Sequence, residues 1–125
     1  DLPLSRDNNG LWLSDWAPLL PMLTNTDLAP STRGQCFHAS LALALLTQAR
    51  QIQKAHHFVA IGLTGGVFQN RLLTEQVIAL LEAEGLKVLL PERIPCNDAG
   101  ISFGQLIEAA TQYRRFKFSF FLKKF

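Results

Sequence analysis

The chain has 125 residues, 48% of them hydrophobic, which is enough for a single domain with a modest core and excludes a disordered polymer. Its formal charge of +2 is unevenly spread, because five of the twelve basic residues (Arg114, Arg115, Lys117, Lys123 and Lys124) crowd the last dozen positions. The other seven stand against all ten acidic residues, so residues 1–112 carry a net charge of −3 and offer no electrostatic footprint for nucleic acid. No apolar run reaches the length of a bilayer-spanning helix, and the opening stretch from Asp1 to Asn9 is polar and acidic, unlike a secretory leader. The expectation is a soluble, cytoplasmic protein with Cys36 and Cys96 as reduced thiols, since the two match no zinc spacing or redox pair. A start at Asp1 rather than Met suggests an excerpt of a longer chain or a processed product.

In chain order, residues 1–30 hold four of the six prolines and read as a strand-like piece around Leu11-Trp12-Leu13, followed by a short helix from Asp15. Ser31 or Thr32 can cap a longer helix whose apolar stripe is Phe37, Leu41, Leu45 and Ile52. His57 to Leu63 is a nearly unbroken apolar run, as in a parallel strand covered on both faces, and Thr64-Gly65-Gly66 ends it. A second amphipathic helix carries Leu73, Val77, Leu80 and Leu81 and stops at Gly85 in a left-handed conformation. Leu86 to Leu90 is the next strand, stopped by Pro91. After a loop, Asp98 opens a third helix with Ile101, Leu106, Ile107 and Ala110, running to about Tyr113. This alternation predicts an α/β fold, a parallel sheet with crossover helices, and ligands beyond the strand ends at Gly65-Gly66 and at the loop before Asp98.

Two glycines between a strand and a helix let the backbone approach a ligand, and amides at a helix start favour an anion such as phosphate. A tight turn needs the same residues, and the spacing fits neither the dinucleotide nor the Walker pattern. Gln69 and Asn70 can hydrogen-bond a ribose, base or phosphate, or cap the helix. Asp98 suits a hard metal ion, yet position alone favours a helix cap. His38, beside Phe37, reads as a hydrogen-bonded packing residue, and His56 and His57 could bind metal only if other ligands converged. No nucleophile pairs with a base.

Leu63-Thr64-Gly65-Gly66-Val67-Phe68-Gln69-Asn70-Arg71-Leu72-Leu73 resembles the glycine motif of the HypF family of carbamoyltransferases. Pro95-Cys96-Asn97-Asp98-Ala99-Gly100-Ile101-Ser102-Phe103-Gly104-Gln105 resembles that family's closing motif, with Cys96 where proline is expected. Phe37-His38 with Leu41-Ala42, and Asp15-Trp16 with Leu19, are similar to the segments that come before, so the likeness spans residues 1–112. It implies a partial second lobe of the fold shared by actin, sugar kinases and heat-shock ATPases over residues 1–113. The basic and aromatic tail, 114–125, lies outside that fold and reads as an unrelated extension rather than a membrane or nucleic-acid contact.

The resemblance further implies an ATP-derived carbamoyl-adenylate as ligand, with phosphate against Gly65 and Gly66, nucleotide contacts from Asn70 and Gln69, and Asp98 as one ligand of a divalent metal ion. The implied partners are the remaining domains of a HypF-like protein and a HypE-type maturation protein, whose C-terminal cysteine receives the carbamoyl group during cyanide-ligand synthesis for nickel-iron hydrogenase. Carbamoyl phosphate and ATP are the substrates of such a parent enzyme. The alternatives are a piece of a tRNA threonylcarbamoyl transferase, which Val67-Phe68-Gln69-Asn70 and Asn97-Asp98 disfavour, and a non-catalytic remnant that keeps a nucleotide-binding core. In each reading an incomplete lobe leaves apolar faces exposed and the carbamoyl-transfer cycle unfinished.

Overall fold

The computed structural model describes residues 2–122, the side chains as far as Tyr113. Two compact units divide the chain, one made of residues 1–62 and 70–89, the other of residues 63–69 and 90–125.

The first unit opens with a hairpin that the sequence reading missed. Strands β1 (Leu4–Arg6) and β2 (Trp12–Ser14) pair antiparallel, with Leu4 opposite Ser14 and Arg6 opposite Trp12. The turn is built by Asp7, whose Oδ1 accepts the amides of Asn9 and Leu11 at 2.9 and 2.7 Å, and by Gly10 at φ +81°. An Asp-Asn-Asn-Gly run between apolar segments is the chemistry such a turn needs, and it was there to be read. The Arg6 guanidinium lies 4.7 Å from the Trp12 ring centre, a cation–π contact across the ladder.

A 3-10 turn, Ala17–Leu19, leads into the short helix α1 (Leu20–Thr24). Helix α2 (Pro30–Ala55) starts earlier than Ser31 or Thr32 would dictate, because Pro30 takes its first turn, where the missing N–H costs nothing. Arg33 donates to the Leu23 carbonyl at 2.9 Å and ties the two helices together. Leu2, Leu19 and Ala44 form a buried cluster with Met22, Leu23, Phe37 and Leu41 packed around it.

Helix α3 (Arg71–Ala83) packs on α2, burying Leu73, Val77 and Leu81, with Val77 fully enclosed. The buried positions of α2 are Ala42, Ala44, Leu46 and Ala49, which corrects the expected stripe: Phe37, Leu41 and Leu45 are half-buried and Ile52 is exposed. Small alanines let another element approach the helix axis, so close packing selects them over the larger residues that periodicity singles out. Arg50 clamps Glu84 with bonds of 2.6 and 3.2 Å, and this pairing holds the Glu84 carboxyl below its ordinary range.

Gly85, at φ +76°, ends α3 as expected. Its amide reaches the Glu82 carbonyl at 2.9 Å and the Leu86 amide reaches the Leu81 carbonyl at 3.1 Å, the paired bonds of a Schellman cap. Strands β3 (Ala60–Gly62) and β4 (Lys87–Leu89) then pair in parallel, Ile61 opposite Val88, as the alternation predicted. Both are shorter than the apolar runs that contain them. Val59, 67% exposed, shows that a two-stranded sheet does not cover both faces of this run.

In the second unit, the 3-10 turn Gly66–Gln69 begins at the second glycine, and a second such turn, Asp98–Gly100, leads into helix α4 (Ile101–Leu122). Helix α4 continues beyond the expected end near Tyr113, and the side chains of the tail from residue 114 lie outside the described residues. Among the described residues no helix is long and apolar enough to cross a membrane.

Candidate functional site

The glycine turn and the closing motif meet within the second unit. Gly65 sits at φ +111°, a backbone state that L side chains rarely adopt, and this reverses the chain at the end of the apolar run. Its amide donates to the Cys96 carbonyl at 2.5 Å, and the Thr64 hydroxyl reaches the same oxygen at 3.4 Å. A Cβ added at Gly66 would lie 3.8 Å from the Asn97 Cβ. Two segments some thirty residues apart in sequence are therefore held edge to edge, two residues from Asp98.

Because the Gly65 amide is engaged with Cys96, Gly65 contributes its conformation rather than a donor. The Phe68 amide closes the turn on the Gly65 carbonyl at 3.1 Å, which leaves the Gly66 and Val67 amides at the head of the turn without a carbonyl one turn back. Gln69 ends this turn exposed.

Asn70 caps α3: its Oδ1 accepts the Leu73 amide at 3.2 Å while its Nδ2 contacts His38 Nε2 at 2.8 Å. His38 Nδ1 bonds the Gly34 carbonyl at 2.7 Å, and the ring meets Phe37 edge-on at 5.7 Å. His38 is thus the hydrogen-bonded packing residue that its place beside Phe37 suggested.

Asp98 is not the cap that position favoured. Asn97 does that job, its Oδ1 accepting the Ala99 amide at 3.1 Å while the Gly100 amide bonds the Asn97 carbonyl at 2.9 Å. Asp98 is displaced into the first position of the turn, where its carboxylate is exposed and free of capping duty. Gly100 has no room for a side chain, since a Cβ there would stand 2.7 Å from the Pro95 carbonyl oxygen and 3.2 Å from Ile94. Beside this loop lies an open groove of about 300 Å³ lined by Thr64, Pro91, Ile94, Pro95, Asn97 and others.

A lone exposed carboxylate suits a hard divalent cation as one oxygen ligand. Among the described residues no three His, Cys, Asp or Glu side chains converge to hold a metal, and His56 and His57 are exposed beside β3. A cation at Asp98 would take its other ligands from elsewhere. Cys96 contributes its carbonyl to the site, and its thiol is half-buried.

Residues 2–105 match the model of the second subdomain of the Kae1-like domain of carbamoyltransferases. The chain belongs to the HypF family. Among HypF relatives, it is 38% identical over 98 residues to the carbamoyltransferase HypF of Rhodobacter capsulatus, covering 78% of this chain and 13% of that protein. It is 42% identical over 76 residues to a HypF homolog of Cupriavidus necator, covering 61% of this chain and 19% of the relative. The crystal structure of a full-length HypF in a phosphate- and nucleotide-bound form superposes with a TM-score of 0.77 at 27% identity, covering 84% of this chain and 14% of that one. The chain thus spans less than a fifth of the length of these relatives.

Proposed function

We propose that this chain is part of the transferase lobe of a HypF-type carbamoyltransferase, with nucleotide phosphate at the glycine turn and a divalent cation held partly by Asp98. The observation that carries the reading is the bond from the Gly65 amide to the Cys96 carbonyl, which draws the phosphate-type turn and the metal-type carboxylate into one neighbourhood. The amides of Gly66 and Val67 are the donors for phosphate oxygen, and Gln69 in the same turn and Asn70, next in the chain, supply nucleotide contacts. A cation at Asp98 would offset phosphate charge and favour departure of the leaving group.

The substrate in this proposal is an ATP-derived carbamoyl-adenylate, and the acceptor is the C-terminal cysteine thiolate of a HypE-type maturation protein. Sulfur attacks the carbamoyl carbon, a carbon–sulfur bond forms, the bond to the phosphate oxygen breaks and AMP leaves with the electron pair. The nucleophile comes from the partner, which agrees with the lack of a nucleophile–base pair in this sequence. Forming carbamoyl-adenylate from carbamoyl phosphate and ATP falls to other domains of the parent protein, so the isolated chain does not complete the cycle.

The test is transfer by a full-length protein carrying this sequence, read as carbamoylation of the partner's C-terminal peptide by mass spectrometry. Asp98→Asn should slow transfer at least about tenfold, the loss typical of disturbing a metal site, while carbamoyl-phosphate-dependent release of pyrophosphate, which marks adenylate formation in the other domains, persists. Transfer at the unsubstituted rate with Asp98→Asn would refute the metal role. Multiple turnovers by the 125-residue chain alone would refute the division of labour.

A further inference from the structure

Two backbone groups of fixed polarity determine every proton between His38 and Asn70. The Leu73 amide can only donate, so the Asn70 atom facing it at 3.2 Å is the carbonyl oxygen Oδ1. The Gly34 carbonyl can only accept, so His38 Nδ1, 2.7 Å away, carries the hydrogen. Nε2 of the neutral ring is then a lone-pair acceptor, and it faces Nδ2 of Asn70 at 2.8 Å. Reversing any one link would set donor against donor or acceptor against acceptor.

We propose that His38 is a positioning residue for Asn70: it locks the Asn70 amide with its oxygen on the α3 N-terminus and its nitrogen towards the imidazole. The i, i+4 spacing of Gly34 and His38 on α2 brings Nδ1 onto a carbonyl one turn back, so the ring is itself oriented by its own helix. One N–H of Nδ2 remains for a ligand, so Asn70 meets an acceptor there, such as a ribose or phosphate oxygen. That last consequence rests on reading Asn70 as a nucleotide contact; the relay from Gly34 to Leu73 does not.

The relay is tested first in the full chain without ligand. Long-range proton–nitrogen NMR should find His38 protonated at Nδ1, and protonation at Nε2 would overturn the proposal with no variant needed. His38→Gln keeps an acceptor near the Nε2 position, whereas His38→Asn keeps only a donor for Gly34. Hydrogen exchange at the Leu73 amide should rise about fivefold in His38→Asn, the scale of a lost cap, and stay within about twofold of the parent in His38→Gln. An equal response to both variants would reduce His38 to packing and sink the idea. If His38→Asn does not fold, the tautomer of the unsubstituted chain still decides. Titration with ATP and magnesium ion forms a separate arm, in which the Asn70 side-chain amide resonances should move. If the tautomer and exchange results hold while those resonances stay still, the nucleotide reading of Asn70 fails and the positioning role stands.

Discussion

At the scale of single residues, the site depends on backbone states that few side chains permit. Gly65 supplies a positive φ and Gly100 a close approach, and only the first could be guessed from a glycine pair after a strand. Gly100→Ala sets a methyl group against the Pro95 carbonyl, which is backbone and cannot rotate aside. The expected cost is roughly 1–3 kcal/mol, as for overpacking elsewhere, and it should appear as faster hydrogen exchange at the Gly65 amide, whose acceptor sits in the same loop. Exchange at the parent rate in a folded Gly100→Ala variant would show that the loop yields freely. The caps tell a related story. Asn97 takes the role that Asp98 was expected to fill because its side chain lies one residue further back, where the backbone is still extended at ψ −171°.

Among the elements, α3 was the most legible, although Leu80 of the expected stripe is half-buried and the capping role of Asn70 was one of two alternatives. Leu73, Val77 and Leu81 recur on one face, Asn70 caps the start, and Gly85 with Leu86 closes the end. Val77→Ala removes two methyl groups from a fully enclosed position and should lower stability by about 2 kcal/mol in a denaturant melt. Ala79→Ser, on the exposed side, should change it by less than about 0.5 kcal/mol; comparable losses for both would mean that α3 does not pack as described. Helix α2 was harder to read, because alanine carries a weak hydrophobic signal although three of the four buried positions of the helix are alanines. The opening hairpin was missed for a different reason: a three-residue ladder shows too little alternation to stand out, and the Asp7 turn, not the strand pattern, was its signature.

For the whole molecule, the apolar surface left open is the leading physical fact. In the first unit Leu11, Leu13, Val59 and Leu89 are exposed, and in the second every described residue of α4 from Ile101 to Tyr113 is exposed, Leu106 at 66%. Large apolar side chains exposed in both units are a strong motive for association. The isolated chain should therefore self-associate at micromolar concentration, seen as concentration-dependent sedimentation; a single monomer boundary across a hundredfold dilution series would contradict this. In the relatives, where the matched region is less than a fifth of the protein, other segments are available to cover such faces.

The sequence by itself determined the order of helices and parallel strands, the left-handed glycine that ends α3, and membership of the HypF family, because each rests on local periodicity, a required backbone conformation or a contiguous motif. Tertiary structure alone decided that Gly65 is bonded to Cys96, that Asn70 is held by His38, that Asn97 rather than Asp98 caps its turn, and that alanines take three of the four buried positions of α2. Each of these depends on groups distant in the chain or on the last ångström of backbone placement, and no pattern along one segment encodes a distance to another.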